Sequence, residues 1–332
     1  MPGIRTEGID DQADSGVDAG IGLESLLRLL FPSPAAAAAV REQAAQAAGS
    51  DHVSDLSGLR RVLSAVDRLI IPSPVHIRFG PEDIVAVRVR GMTLLCDRAD
   101  VAVSAPIIRN RSYEPHLTPV FENYCRPEMT VVDIGANLGY YTMLASRLVG
   151  PAGRVVAVEP HSENCRLLLL SKLFNDAGNV DLLPVALDDH RGWSYFSTAL
   201  GTNGSLLDGG LAIADGRGFV VPTFTLDELA EGPVDLIKID VEGAEFRVMS
   251  GARRIITAYR PVIITEFSCR MLREVSGCSP SAYLSMFTDL GYQVYVIGKN
   301  YVIDAVDDCE KFVADWGDPL RIEDLLLLPD RR

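Results

Sequence analysis

The sequence predicts an α/β protein built on a mostly parallel sheet, and three observations carry that expectation. From Tyr113 onward, apolar runs of strand length alternate with segments of helical spacing. The run Val131-Val132-Asp133-Ile134-Gly135-Ala136-Asn137-Leu138-Gly139 reads as a strand ending in an acid, a glycine-punctuated turn and the start of a helix. A second buried strand, Arg154-Val155-Val156-Ala157-Val158, closes on Glu159-Pro160.

In chain order, residues 1–22 are glycine-rich and acidic and are expected to be disordered. Leu23–Phe31, Ala35–Ala48 and Leu56–Leu69 have helical spacing, separated by Pro and Gly-Ser breaks. Strand-like runs follow at Val75–Phe79, Ile84–Val89 and Met92–Cys96, so 23–105 reads as a helical cap with a β-meander. Strands are then expected at 131–134, 154–159, 180–185, 234–240 and 261–267, and helices near 139–149, 161–175, 243–257 and 280–290. Tyr292–Ile297 and Tyr301–Ile303, joined by Gly298-Lys299-Asn300, predict an antiparallel hairpin. The stretch 193–221 holds Gly201, Gly204, Gly209, Gly210, Gly216 and Gly218, a composition suited to a mobile loop over a site.

Composition excludes several classes of partner. A formal net charge of −14 disfavours a nucleic-acid phosphate backbone and an anionic membrane surface, and leaves a small neutral or cationic ligand. The six cysteines, at 96, 125, 165, 269, 278 and 309, form no C-x-x-C pair, so neither a zinc site nor a disulfide framework is indicated. The N-terminus has no basic and apolar leader pattern, and no stretch approaches 18 uninterrupted apolar residues. A cytoplasmic protein without membrane insertion is therefore expected.

The turn after the first strand limits the ligand further. A dinucleotide fingerprint G-x-G-x-x-G is missing, because Gly135 is followed by Ala136-Asn137-Leu138-Gly139. Asp133 places negative charge beside the turn, which suits a cation such as S-adenosylmethionine better than a pyrophosphate. Glu159 stands 20 residues beyond Gly139 at the end of the next strand, where an acid accepts hydrogen bonds from ribose hydroxyls. Further on, Asp235-Leu236-Ile237-Lys238-Ile239-Asp240-Val241-Glu242-Gly243-Ala244-Glu245 alternates, with Lys238, Asp240 and Glu242 on one strand face and Ile237, Ile239 and Val241 on the other. Three charges on a central strand are costly to bury without a task.

Asp133–Tyr141, Val158-Glu159-Pro160, Ala186-Leu187-Asp188-Asp189, Thr225–Leu229 and Asp235–Glu245 together resemble the ordered motif set of FkbM-type S-adenosylmethionine-dependent methyltransferases. The resemblance runs from about Tyr113 to Ile297. It implies a class I methyltransferase (Rossmann-like) fold, with a seven-stranded, mostly parallel sheet and an antiparallel final hairpin after the N-terminal helical and β extension. The methyltransferase domain would span 106–303 and a C-terminal extension 304–332. By the same resemblance Asp133, Gly135, Asn137 and Gly139 line the methionine moiety and Glu159 takes the ribose. Ala186, Asp188 and Asp189 flank the adenine, and Tyr113-Glu114 close over the cofactor. Such enzymes O-methylate hydroxyls of sugars, polyketides or other secondary metabolites.

Methyl transfer from a sulfonium has a neutral thioether leaving group, so a general base is the only proton-transfer catalyst required. Asp240 and Glu242 are the candidates, with Lys238 as their electrostatic partner; His116 and His190 are the fallback bases. Asp240 and Glu242 would also suit Mg²⁺, with Glu266 as a third ligand, although no metal spacing is evident. The rival readings are a nucleotide-dependent oxidoreductase and a non-catalytic nucleotide-binding module on the same fold.

Overall fold

Strands and helices form where the alternation predicts them, because each strand has two apolar faces to bury. The computed structural model describes residues 84–198, 204–207 and 218–330, all within one compact unit, Pro74–Arg332. The tail 1–22, the three expected N-terminal helices and the run Val75–Phe79 lie outside the described residues. Strands β1 (Ile84–Val89) and β2 (Met92–Asp97) form an antiparallel hairpin turned by Arg90 and Gly91, both at positive φ. Helices α1 (Ser104–Asn110) and α2 (Thr118–Tyr124) follow.

The central sheet begins with β3 (Thr130–Ile134), α3 (Tyr140–Val149), β4 (Arg154–Val158), α4 (Ser162–Phe174) and β5 (Val180–Leu183). A smaller sheet then intervenes, made of β6 (Ala186–Leu187), β7 (Gly192–Ser197), β8 (Ser205–Leu207) and β9 (Gly218–Phe224) in the order β6-β9-β7-β8. After α5 (Leu226–Leu229), the central sheet resumes with β10 (Leu236–Ile239). Helices α6 (Glu245–Ser250) and α7 (Arg253–Tyr259) lead to β11 (Val262–Phe267). The chain ends through α8 (Cys269–Glu274), α9 (Pro280–Thr288), β12 (Tyr292–Ile297), β13 (Ile303–Ala305), α10 (Cys309–Ala314) and β14 (Glu323–Pro329).

The central sheet has eight strands in the order β13-β12-β14-β11-β10-β3-β4-β5. Strands β5, β4, β3, β10 and β11 are mutually parallel, and β14 runs antiparallel to both β11 and β12. One face (Val131, Val155, Leu236, Ile264) packs on β1–β2 and α3–α4. The other (Val132, Val156, Ile237, Ile263) packs on α6 to α9. Each such buried Val, Leu or Ile contributes roughly 1.5–3 kcal/mol. The hairpin β1–β2 is pinned to α4, with Leu95 N donating to Ser171 Oγ (2.9 Å) and Thr93 N to Asn175 Oδ1 (2.7 Å). Among the described residues no helix is long and apolar enough to cross a membrane.

Four sequence expectations are corrected. The sheet has eight strands, not seven. The hairpin β12–β13 is present, but β14, assigned to a C-terminal extension, is the reversed strand inserted between β11 and β12. Its run Leu325–Leu327 is buried on both sides, which a continuous apolar stretch signals. The helix expected over 243–257 is broken at Gly251-Ala252, where Gly251 packs against the Asp188 carbonyl too closely for a side chain. The described part of 193–221 is β-sheet rather than loop, because alternating Trp193, Tyr195, Phe219 and Val221 outweigh the glycines.

Candidate active site

The connections β3–β4–β5 step one way across the sheet and β10–β11 step the other, so the topology switches between β3 and β10. Ligands of open α/β sheets bind outside the carboxyl ends of the strands at such a point. A cavity opens there, at the place where small-molecule sites of such sheets form. Its lining brings together Tyr113, Asp133, Gly135, Asn137, Glu159, Ala186, Lys238, Asp240 and Glu242 of the expected site residues.

The turn after β3 adopts three left-handed conformations, at Gly135 (φ +76°), Asn137 (φ +50°) and Gly139 (φ +94°). Gly135 N and Ala136 N both donate to Val158 O, at 3.0 and 3.1 Å, tying the turn to the end of β4. Asn137 N donates to Glu159 Oε2 (2.8 Å), while Glu159 Oε1 accepts from His161 N (2.8 Å) and Asn164 Nδ2 (3.4 Å). Burial pushes the Glu159 carboxyl up to about 7 despite these donors. The residue is thus held in one orientation at the cavity wall.

Asp133 is 1% exposed. Its Oδ2 accepts from Thr142 Oγ1 (2.6 Å), and Oδ1 has no hydrogen-bond partner among the described residues. Burial raises its pKa, opposed by the Lys238 ammonium and the Thr142 hydroxyl. A buried acceptor left unpaired costs about 1–3 kcal/mol, more when charged.

Lys238 Nζ lies 3.3 Å from Asp240 Oδ2 and 4.7 Å from the centre of the Tyr141 ring. Burial pulls its pKa down, but Asp240, Glu114, Asp133 and Asp324 together outweigh burial and hold it above the ordinary lysine range. Lys238 is thus a fixed ammonium, suited to hold Asp240 and not to take a proton. Beyond β10, Glu242 (φ +54°) and Gly243 (φ +99°) turn the chain, and buried Glu245 accepts from Val241 N (3.1 Å) and Gly243 N (3.2 Å).

Tyr113 packs edge-on against Tyr140 and Tyr141, with ring centres 5.5 and 6.4 Å apart. Glu114 (φ +40°) has an Oε2 with no hydrogen-bond partner among the described residues, and burial pushes its carboxyl up to about 7. Glu266, at the end of β11, is raised well above the usual carboxylate range by burial and by Asp240, Glu242, Glu245 and Asp324.

Other expected residues lie elsewhere. Gly139 stands behind the cavity against Leu168 of α4, where a Cβ would collide. Asp188, expected beside the adenine, is fully buried and paired by both oxygens with Arg247 Nε (2.8 Å) and Nη2. Asp189 contacts His190 Nδ1 (2.5 Å) at the surface. His116 is buried against Asp324 of β14 (2.7 Å) and Lys299 (2.8 Å); neither it nor His190 lines the cavity. Among the described residues only Asp188, Asp189 and His190 approach metal-ligand spacing, and Arg247 already holds the first. Asp240, Glu242 and Glu266 do not close into such a set.

Sequence reasoning missed Val185, Phe196 and Leu206 in the cavity wall. Val185 is the last residue of the strand expected over 180–185, two positions beyond β5, and was legible as a strand-end residue. Phe196 and Leu206 sit in the segment whose glycines pointed to a loop.

Residues 133–294, just under half of the chain, match the model of the methyltransferase FkbM domain. Similar solved structures include the methyltransferase FkbM from Methylobacillus flagellatus KT, at 16% identity and TM-score 0.37, covering 63% of this chain and 50% of that one. The chain thus spans half the length of that protein. M. jannaschii TYW2 in complex with AdoMet is similar at 13% identity and TM-score 0.39, covering 76% and 88%. The O-methyltransferase from Bacillus cereus in complex with SAH is similar at 13% identity and TM-score 0.39, covering 66% and 83%. No curated protein matches the chain.

Proposed function

We propose that the protein transfers a methyl group from S-adenosylmethionine to a hydroxyl oxygen of a small acceptor, such as a sugar, a polyketide or another secondary metabolite. The observation that carries the cofactor half is the unpaired, buried Oδ1 of Asp133 at the cavity wall, a position an ammonium would satisfy. When bound, S-adenosylmethionine supplies a methyl on a sulfonium that departs as a neutral thioether. Glu159 accepts from a ribose hydroxyl through Oε2, which takes one of the three protein donors while Oε1 takes two. Asp240, held by Lys238 and partly open to the cavity, takes the acceptor hydroxyl's proton as the oxygen is methylated. Tyr113, Tyr140 and Tyr141 wall this end of the cavity and exclude water. The net charge of −14 supports a small acceptor over a phosphate backbone.

The test has two stages on the full chain. Titration calorimetry with S-adenosylhomocysteine and with NAD is expected to show binding of the first alone; the reverse would favour an oxidoreductase. Methyl-labelled S-adenosylmethionine is then incubated with hydroxylated sugars and polyketides. Label recovered as methyl ether supports O-methylation, and label recovered on nitrogen or carbon would overturn it.

A further inference from the structure

A second cavity opens between α8 and the segment that follows α10, and its wall shares no residue with the cavity at the switch point of the sheet. Arg270, Arg273 and Glu274 come from α8, and Val313, Trp316 and Pro319 from the end of α10 and the turn beyond it. Trp316 is fixed in place. Its ring meets Phe267 at the end of β11 edge-on, with centres 5.0 Å apart, and Phe312 of α10 at 5.5 Å. The Arg321 guanidinium lies 4.4 Å from the ring centre. Trp316 is 6% exposed, and its Nε1–H is buried with no acceptor among the described residues. A buried donor without a partner costs free energy that an acceptor at this wall would recover.

Positive charge gathers beside that donor. Arg270 pairs with Glu274 (2.9 Å) and Arg321 with Glu323 (2.9 Å). Arg273 makes no hydrogen bond or ion pair among the described residues, so its guanidinium has no counter-charge there. Burial raises the pKa of the Cys269 thiol, which also lines this cavity, and the charges of Arg273 and Arg321 both oppose that shift. The two guanidinium groups therefore act on the same corner of the cavity. A surplus cation beside a buried donor runs against the net charge of −14 carried by the whole chain.

We propose that this cavity binds a small organic oxyanion, a carboxylate or a phosphate, held by the Trp316 indole N–H and the Arg273 guanidinium. Both groups only donate, so the ligand atoms that meet them must accept. Arginine presents its N–H groups in a planar fork that matches either anion. Val313 and Pro319 add carbon to the wall, which suits a short carbon chain behind the charged group better than a hydrated inorganic ion.

The experiment uses the full chain, whose only tryptophans are Trp193 and Trp316. Trp193 is 72% exposed, so Trp193→Phe keeps the fold and leaves Trp316 as the source of the one indole N–H signal in a proton–nitrogen correlation spectrum. Succinate and glycerol phosphate are titrated separately into that protein, with chloride holding the ionic strength constant. A saturable downfield shift of the Trp316 signal is expected, and the probe that produces it distinguishes carboxylate from phosphate. Adding Arg273→Ala, at an exposed position, should weaken binding by about tenfold or more, as loss of a charge-assisted hydrogen bond does. Trp316→Phe keeps an aromatic ring against Phe267 and removes the donor, so the rise in melting temperature that the anion gives should shrink. No saturable shift with either probe, or the same midpoint with and without Arg273, would overturn the site.

Discussion

Gly135 at the end of β3 packs so closely on Asp240 at the end of β10 that a Cβ on the glycine would overlap the Asp240 carbonyl oxygen. Asp240 N in turn donates to Ile134 O (3.0 Å), so the two motifs are locked together at the switch point of the sheet. The residue that lets a ligand approach the turn and the residue assigned to the proton transfer are therefore one structural unit, although they lie about a hundred residues apart.

Gly135→Ala is expected to break that unit. The left-handed φ of +76° costs a residue with a Cβ about 1–2 kcal/mol, before the overlap with Asp240 is counted. At roughly 2–4 °C per kcal/mol for a domain of this size, the strain alone lowers the melting temperature by about 2–8 °C. Thermal unfolding followed by circular dichroism measures it. An unchanged melting temperature would mean that the junction is not rigid.

Glu159 gives a pH dependence of defined sign. Burial moves its carboxyl from an ordinary 4.5 to about 7 in the fold, so the native state holds the proton more tightly than the unfolded chain. The stability it contributes is fully present below pH 4.5 and is lost as pH rises through 7. Glu114 and Glu245, also raised to about 7 by burial, act in the same direction. The ligand-free protein should thus melt at a higher temperature near pH 5 than near pH 8 as far as these groups decide it. S-adenosylhomocysteine should bind more tightly as pH rises through 7, because ribose hydroxyls donate to the ionised form. Replacing Glu159 by Ala should cost 10- to 100-fold in affinity, about 1.5–3 kcal/mol, and remove that pH dependence. Calorimetric titrations at pH 6 and 8 decide it; equal affinity in variant and wild type removes Glu159 from the site.

The Arg247–Asp188 pair should prove structural. Truncating one partner of a buried ion pair leaves the other charge uncompensated and costs about 3–5 kcal/mol. Arg247→Met is therefore expected to lower the melting temperature by roughly 6–20 °C. Neither residue lines the cavity, so affinity for S-adenosylhomocysteine, measured well below the melting temperature, should stay within about twofold of wild type. A loss of affinity without a loss of stability would return Asp188 to the adenine side of the site.

What the sequence made legible follows from range. Asp133, Gly135 and Asn137 sit in one strand–turn–helix, and Lys238, Asp240 and Glu242 in one alternating strand, so local periodicity located them. Glu159 was legible because the length of a β–α–β unit sets its distance from the turn. Asp188 was misread because its partner, Arg247, is 59 positions away and nothing local distinguishes a buried ion pair from an exposed acid. Phe196 was hidden because the pairing of β7 with β9, across a glycine-rich stretch, buries it. Strand β14 carried a clear apolar run, but its insertion between β11 and β12 is a property of topology and not of the run itself.

Asp240 is the residue to which we assign the proton transfer. Its backbone is fixed against Ile134 and Gly135, and its carboxylate stands at the cavity 3.3 Å from the Lys238 ammonium. Four surrounding carboxylates outweigh burial and keep Lys238 protonated, so the proton of an acceptor hydroxyl has Asp240 or Glu242 to go to and not the lysine. Asp240→Asn preserves shape and the contact with Lys238 but removes the site for that proton. Turnover should fall by at least about 10², within the range for loss of a general base, while S-adenosylhomocysteine affinity changes much less. Glu242→Gln, at a turn position with φ +54° and farther along the chain from Gly135, is expected to cost less than Asp240→Asn. Treating the wild type with a chelator provides the control: activity that is lost and then restored by Mg²⁺ would make Asp240 a metal ligand instead of a base. Near-normal turnover in Asp240→Asn, with no effect of the chelator, would leave Asp240 as the counter-ion that keeps Lys238 in place.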